Sequence, residues 1–159
     1  MREFDYSGQI LAEYQGKIFE KSVDLNYSTP IFMRRFFNSE FLKTLDKNKT
    51  YLLTFEVNEC LDSINEQFGE STYGKIKYSK AAMFWIGYMY RYMAYTREQP
   101  TRFLMRLFDY RQMNKVYYSF HTQSPEWVVA SLLDMNNLEE DVFDVNARLK
   151  KLIREKGDY

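Results

Sequence analysis

The side chains in this sequence that could carry chemistry are few and isolated. His121 is the one histidine and Cys60 the one cysteine among 159 residues. As a general base, His121 would need a nucleophile or a carboxylate brought to it from elsewhere in the fold. Its position in SFHTQSP, just before a helix start, also suits a simpler role, a hydrogen bond that fixes the connection. Cys60 falls on or near the apolar face of a predicted helix, where a thiol is usually buried and inert.

No larger catalytic or ligand-binding pattern accompanies these two residues. The chain contains no glycine-rich phosphate loop, no CxxC pair, no HExxH and no GxSxG. Metal sites usually need several Cys, His or carboxylate ligands close together, and a single cysteine cannot close an internal disulfide. We therefore predict no metal and no other cofactor. A reducing cytoplasmic location fits, because the N-terminal MREFDYSGQ has no apolar run of the secretory type.

Arg91 is the most informative charged residue, because it lies within an otherwise aromatic segment. Its guanidinium must reach a carboxylate, a carbonyl or solvent, and it suits stacking on aromatic rings. One interpretation is a buried arginine that ties its helix to an acidic residue such as Asp109 or Glu126. The other is an arginine in an aromatic cleft that binds an anion or a partner. The sequence leaves both open.

The segment that carries Arg91, residues 79–96, is the one around which we expect the other helices to pack. Ser79 can cap its first turn. Two adjacent stripes of apolar and aromatic residues follow at helical spacing: Ala82, Trp85, Ile86, Met89 and Met93, then Phe84, Tyr88, Tyr92 and Tyr95. A helix that is apolar on most of its circumference is normally surrounded by protein. The internal arginine and the many tyrosines disfavour a membrane span, although the length is about sufficient.

The remaining pattern predicts a mainly α fold, with residues 1–12 as an irregular lead that turns at Gly8. Helices are predicted over 14–26, 31–38, 41–46, 55–68, 79–96, 102–110, 127–135 and 138–156. A minor extended element is an option near 51–54 or 116–120, since Val116, Tyr117 and Tyr118 favour a strand or a 3-10 connector. The prediction is one domain, residues 1–159, folded as a single compact helical bundle around the buried helix 79–96.

Charge and aromatic content bear on the kind of partner. Lys plus Arg and Asp plus Glu number 22 each, so the formal net charge is zero. This balance disfavours the basic footprint of a nucleic-acid-binding protein, and the two short helices that meet near Asn38 lack residues suited to reading bases. Fourteen tyrosines supply apolar area with a polar tip, which serves both core edges and protein interfaces.

Three blocks, in the order in which they occur, resemble a family of small uncharacterised bacterial proteins. They are LNYSTPIFMRRFFNS (25–39), MFWIGYMYRYMAYT (83–96) and YSFHTQSPEWVV (118–129). The genes of that family resemble toxin–antitoxin modules in their setting, often beside an ADP-ribosyltransferase-like gene. The resemblance implies an antitoxin-like or accessory binding protein whose partner is an ADP-ribosyltransferase-like toxin. This chain departs from the family pattern at Met93, where Trp is common, and at Gln123, which puts the identity of the partner in doubt.

The leading hypothesis is therefore a non-enzymatic protein-interaction module that binds and restrains a cognate toxin. Its expected contacts are one uncovered edge of the central helix together with residues of the family-like blocks. The candidate partner-binding residues are Arg34, Arg35, Tyr88, Arg91, Tyr92, Tyr95 and His121. Two alternatives stay open. One is a phage or mobile-element inhibitor of a host defence complex; the other is a small-ligand enzyme or sensor that brings Arg91 and His121 together in a pocket.

Overall fold

The computed structural model describes residues 1–144 and 152–156, which contain eight α-helices, two short 3-10 helices and a helical stretch at 152–156. No strand occurs within those residues, so the mainly α fold is confirmed. The Cα positions divide the chain into two compact units, Met1–Thr122 and Gln123–Tyr159.

The first unit contains seven α-helices and one 3-10 helix. The α-helices are α1 (Tyr6–Ser22), α2 (Thr29–Phe37), α3 (Glu40–Leu45), α4 (Val57–Phe68), α5 (Lys80–Arg97), α6 (Thr101–Leu107) and α7 (Tyr110–Phe120). The 3-10 helix spans Thr50–Thr54. Residues 51–54 are therefore helical and not extended. Residues 116–120 are helical too, since they lie within α7.

Helix α5 is the buried centre that the sequence predicts. The Ser79 hydroxyl accepts a hydrogen bond from the Ala82 amide at 3.1 Å and so caps the first turn. From Met89 to Thr96 every residue is buried, which matches a helix that is apolar nearly all round. The same serine capping starts α2 at Ser28 and α3 at Ser39.

The N-terminal residues differ from the prediction. In place of an irregular lead, α1 begins at Tyr6, because the Asp5 carboxylate accepts the Gly8 amide at 2.9 Å and caps the helix. Gly8 is not a turn. It is a buried helical position where an added Cβ would lie 2.6 Å from Cε1 of Tyr95 on α5. The glycine allows α1 to approach α5 closely.

Gly16 and Gly87 extend this close contact along the two helices. An added Cβ at Gly16 would lie 3.0 Å from the carbonyl oxygen of Phe84, and one at Gly87 would lie 2.8 Å from that of Gln15. The Gln15 side chain also donates to the Gly87 carbonyl at 2.8 Å. Backbone therefore meets backbone here, with little room for a side chain.

Replacing Gly87 by alanine is a direct test of this packing. In an open helix the change gains about 1 kcal/mol of stability, but overpacking a filled contact costs about 1–3 kcal/mol. Since the Gln15 carbonyl cannot move aside as a side chain can, we expect a net loss of about 1–2 kcal/mol in the free energy of unfolding. Urea denaturation followed by circular dichroism measures it. The exposed helical variant Ser119→Ala is the control and should not lose stability.

A cluster of aromatic rings fills the space between α1, α2 and α5. Phe36 packs edge-on against Phe19 at 4.7 Å between ring centroids and against Phe37 at 5.7 Å. Phe37 in turn meets Tyr90 edge-on at 5.3 Å. All four are almost completely buried, and edge-to-face geometry is favourable for such rings.

The connection from α4 to α5 has no regular secondary structure but lies along the start of α2. The Ser28 and Thr29 amides donate to the carbonyls of Tyr73 and Ile76, at 3.1 and 2.8 Å. Gly74 has a φ of +81°, and a Cβ there would lie 2.7 Å from the Ser28 side chain. The connection supplies partners for amides at the start of α2 that the helix itself leaves unpaired.

Helix α7 replaces the predicted strand or connector. The Asp109 carboxylate accepts the Arg111 amide at 2.7 Å, and Tyr110 and Met113 are buried one turn apart. Tyr117 continues this face and packs edge-on against Trp85 at 5.8 Å. Burial at helical spacing thus overrides the β propensity of the Val-Tyr-Tyr sequence.

The second unit contains α8 (Pro125–Met135) and a 3-10 helix (Glu140–Phe143). Ser124 caps α8 by accepting the Trp127 amide at 3.2 Å, with Pro125 in the first turn, as the sequence predicts. The long helix predicted over 138–156 is wrong at its start, because the 3-10 helix ends in extended backbone at Asp144. Its middle, 145–151, lies outside the described residues, and 152–156 is helical.

Candidate functional site

Arg91 is fully buried and every hydrogen-bond donor of its guanidinium is used. Nε and Nη2 donate to Oε1 of Gln15 at 3.0 and 2.8 Å. Nη2 also donates to Oγ1 of Thr101 at 3.1 Å. Nη1 donates to Oδ1 of Asp46 and to Oδ1 of Asn48, both at 3.0 Å. A guanidinium has five N–H groups, so none remains for an anion or a partner.

The carboxylate that pairs with Arg91 is Asp46, not Asp109 or Glu126 as proposed from the sequence. Asp46 caps the end of α3 and also accepts the amide and hydroxyl of Thr101, at 3.1 and 2.6 Å. Burial lowers the pKa of Arg91, and the Asp46 charge opposes that shift. The arrangement ties α1, α3, α5 and α6 together, so the first interpretation of Arg91, a buried structural pair, fits the geometry.

The tyrosine edge of α5 is covered by the N-terminal residues. Tyr95 is fully buried, donates to the Asp5 carboxylate at 2.6 Å and lies under the Arg2 guanidinium, 3.9 Å from its ring centroid. Tyr92 is 2% exposed and meets the Phe4 ring edge-on at 4.7 Å. Tyr88 is half-buried beside the same ring. The edge on which the partner prediction depended is therefore covered at Tyr92 and Tyr95 and stays partly exposed at Tyr88.

The two arginines of the first family-like block have different surroundings. Arg34 is exposed on α2. Arg35 is half-buried, stacks on the Tyr27 ring at 4.6 Å and donates to the carbonyl of Gly69 at 2.6 Å. Since Gly69 immediately follows α4, Arg35 caps that helix. Of the pair, Arg34 alone keeps a guanidinium turned to solvent.

His121 is exposed at the C-terminal end of α7. Its Nδ1 lies 2.9 Å from the Tyr117 carbonyl oxygen and 3.0 Å from that of Tyr118. The imidazole stacks on the Tyr117 ring at 4.6 Å. These contacts cap the helix end, and none of them involves a residue that binds Arg91. An exposed histidine and a buried, fully bonded arginine do not form the shared pocket that the enzyme or sensor hypothesis requires.

An apolar opening on the surface of the first unit lies elsewhere, between α3, the 3-10 helix and α4. It is a groove of about 420 Å³, open to solvent. Its lining is mainly apolar and consists of Glu40, Phe41, Thr44, Phe55, Glu59, Cys60 and Ser63. We refer to these seven residues as the α3–α4 groove. Phe55 lies at its wall and is 48% exposed.

The floor of the α3–α4 groove is held by Tyr14 of α1. The Tyr14 hydroxyl donates to the Phe55 carbonyl at 2.8 Å and lies 2.8 Å from Sγ of Cys60. Burial raises the pKa of both the Tyr14 hydroxyl and the Cys60 thiol. A thiol with a raised pKa is a poor nucleophile at neutral pH. This fits the inert role predicted for Cys60.

Every charged residue that lines the groove is acidic. Glu40 forms an exposed ion pair with Lys43 at 2.9 Å, and such surface pairs contribute little to stability. Glu59 belongs to an acidic face that follows the exposed side of α4 and continues past both ends of the helix. This face consists of Glu56, Glu59, Asp62, Glu66 and Glu70, with no Lys or Arg between positions 56 and 70. None of the five carboxylates forms an ion pair with another residue that the structure describes.

The predictions from the sequence do not include this groove, although the sequence contains two signals for it. Phe55 follows an apolar stretch that has no helical periodicity, and the run 56–70 contains five acidic and no basic residues in a chain with no net charge. Neither signal identifies a groove by itself. Its shape depends on α3 and α4 meeting over Tyr14 of α1. Tyr14 contacts Cys60, which is 46 positions away in the sequence.

Residues 1–144 and 152–156 contain neither a candidate membrane span nor a candidate metal site. There, no helix is long and apolar enough to cross a membrane. Likewise, no three His, Cys, Asp or Glu side chains of that part of the chain are placed so that they could hold a metal ion.

Comparison with known proteins gives no relative from which a function could be carried over. No family model, curated protein or solved structure matches this chain.

Proposed function

We propose that this chain is a non-enzymatic protein-interaction module of the antitoxin type, which restrains a cognate protein toxin by binding it through the α3–α4 groove. The observation that carries the proposal is the groove itself, an open apolar recess beside an exposed Phe55. Exposed apolar patches on soluble domains commonly mark sites where another protein docks.

The surroundings of the polar side chains support binding over catalysis. Arg91 has no donor left for a substrate, and the Cys60 thiol is kept protonated by burial. His121 is exposed, and it contacts Tyr117 and Tyr118 of its own helix. Catalysis by general acid–base or nucleophilic chemistry requires such groups to converge on one reacting atom, and the groove contains no such convergence.

Phe55→Ala is the variant that tests the docking surface. Removing a large apolar side chain from the centre of an interface costs at least about 1.4 kcal/mol, or about tenfold in Kd, where that residue is a hot spot. The change leaves the Phe55 carbonyl, and therefore its bond to Tyr14, in place. Tyr73→Ala is the matched control, because Tyr73 is a 77% exposed aromatic residue outside the groove.

The experiment has two stages. Tagged wild type, Phe55→Ala and Tyr73→Ala are used to capture partners from a lysate of the source organism, and the chain identified is then made pure and titrated by calorimetry. We expect a binary complex that Tyr73→Ala retains and Phe55→Ala weakens at least about tenfold. If the partner arrests growth when expressed alone, wild type should relieve the arrest and Phe55→Ala should not.

Two results would contradict the proposal. Equal affinity of Phe55→Ala and wild type for the captured chain would remove the groove from the interface. Capture of a host defence complex, with no growth-arresting partner, would favour the inhibitor alternative over the antitoxin function.

A further inference from the structure

We infer that the element received by the α3–α4 groove is a cationic amphipathic helix of the partner. One of its apolar side chains would enter the groove beside Phe55, and lysines or arginines that flank this side chain would face the acidic side of α4. This inference rests on the proposed function, since it specifies the partner surface that the same groove binds.

The lining of the groove gives the first argument. Its volume of about 420 Å³ lies within the range of about 300–1,000 Å³ typical of ligand-binding recesses. The interior is apolar, and its two charged residues, Glu40 and Glu59, are both carboxylates. An occupant that buries an apolar group there brings neighbouring atoms close to negative charge, so complementary occupants carry positive charge.

The acidic face of α4 gives the second argument. Glu59 and Asp62 are three positions apart, and Asp62 and Glu66 four, so like charges are neighbours along one helix surface. Each such pair destabilises a helix by about 0.2–0.5 kcal/mol, the size of the opposite-charge gain. Because the chain as a whole is neutral, this face is a local separation of charge and not a result of general acidity. A cationic partner removes the repulsion.

The same charges exclude other classes of occupant. Nucleic acids and anionic lipid surfaces carry negative charge and are repelled by the exposed carboxylates of Glu59, Asp62 and Glu66, which form no ion pair with a described residue. The described residues contain no strand whose edge could pair with an extended peptide. A helix that lies across α3 and α4 needs no strand edge, and helix-in-groove docking is a common mode of peptide recognition, with an apolar face in the groove and basic residues beside it.

The test uses two synthetic helical peptides of equal length, one of Leu and Lys and one of Leu and Glu. Binding is measured by fluorescence anisotropy of a labelled peptide with the full chain at low and at raised salt. We expect the Leu/Lys peptide to bind, the Leu/Glu peptide to show no binding, and the affinity for Leu/Lys to fall as salt screens the charges. A third peptide, with Ser in place of Leu, reports attraction by charge alone.

Matched variants of the chain localise the binding. The double variant Glu59→Gln/Asp62→Asn should weaken the Leu/Lys peptide by about tenfold or more, and Phe55→Ala should weaken it as well. The control Asp134→Asn/Glu139→Gln removes two exposed carboxylates from the second unit and should leave the affinity unchanged. Neutral amides relieve like-charge repulsion on α4, so the test variant should fold at least as well as wild type.

Several results would overturn the inference. They are equal binding of the Leu/Lys and Leu/Glu peptides, equal binding of the Ser/Lys peptide, or no effect of the α4 double variant. The outcome for the natural partner separates the two proposals. If Phe55→Ala loses the partner but Glu59→Gln/Asp62→Asn keeps it, the docking function stands and the cationic helix is wrong. If Phe55→Ala keeps the partner, the docking function itself fails, whatever the peptides do.

Discussion

Replacing Arg91 by alanine is expected to lower the free energy of unfolding by about 3–5 kcal/mol, the usual cost of removing one partner from a buried ion pair. The variant would leave the Asp46 carboxylate without its counter-charge and the side-chain Oε1 of Gln15 without the two Arg91 donors. It would also remove a large buried side chain from the centre of α5. Urea denaturation followed by circular dichroism measures the loss.

Two further variants show whether the effect comes from the guanidinium and its bonds. Arg91→Lys keeps the charge but supplies three donors in place of five, so its stability should fall between that of the wild type and that of Arg91→Ala. Arg34→Ala removes an exposed arginine and should change the free energy of unfolding by less than about 0.5 kcal/mol. A loss below about 1 kcal/mol for Arg91→Ala would show that the pair barely repays its own desolvation.

Replacing Phe36 by alanine is the second substitution for which we expect a large effect, a loss of about 3–5 kcal/mol. The Phe36 ring is fully buried and packs against Phe19, Phe32 and Phe37 at 4.7, 5.8 and 5.7 Å between centroids. Its removal forfeits apolar burial and leaves a cavity that three rings on two helices cannot close without moving. The same denaturation experiment reports it.

The size of the replacement should set the size of this effect. Phe36→Leu retains most of the volume and should lose less than about 1.5 kcal/mol. Tyr73→Ala removes a ring of which 77% is exposed, so little stability should be lost. Equal losses for Phe36→Ala and Phe36→Leu would contradict the cavity explanation.

The sequence is most informative where one segment determines its own environment. The central helix shows this, since the cap at Ser79 and two apolar stripes define its start and its burial without reference to any other part of the chain. The same holds for α2 and α8, whose serine caps and first-turn prolines are local signals. Such features depend on neighbouring residues alone and can be recognised in a single sequence.

The predictions fail where distant residues decide the outcome. A glycine such as Gly8 is typical of turns, but here it is the point where α1 contacts the Tyr95 ring, 87 positions away. The Val116-Tyr117-Tyr118 segment has strand propensity, but the packing of Tyr117 on Trp85 requires a helix. Neither partner can be identified from residues near in sequence.

The candidate site illustrates the same limit. The sequence indicated that Arg91 needs a partner, but it could not choose among acidic residues, and the one that pairs with it is Asp46. The tyrosines of α5 suggest an interface, but Phe4 covers Tyr92 and Arg2 covers Tyr95. The groove beside Phe55 arises from the meeting of three elements, so no single motif encodes it.

The adjacent positions of Tyr14 and Gln15 on α1 affect how rigid the α3–α4 groove is before it binds the proposed partner. Tyr14 holds the groove floor, and Gln15 bonds to α5 through Gly87 and Arg91, where the two helices pack backbone against backbone. Amides in such a contact are the last to open in hydrogen exchange, because local opening there requires near-global unfolding. Because Tyr14 holds Phe55 and Cys60, the α3–α4 groove is preorganised before binding. Little conformational entropy is lost when it is occupied, and more of the contact energy contributes to affinity.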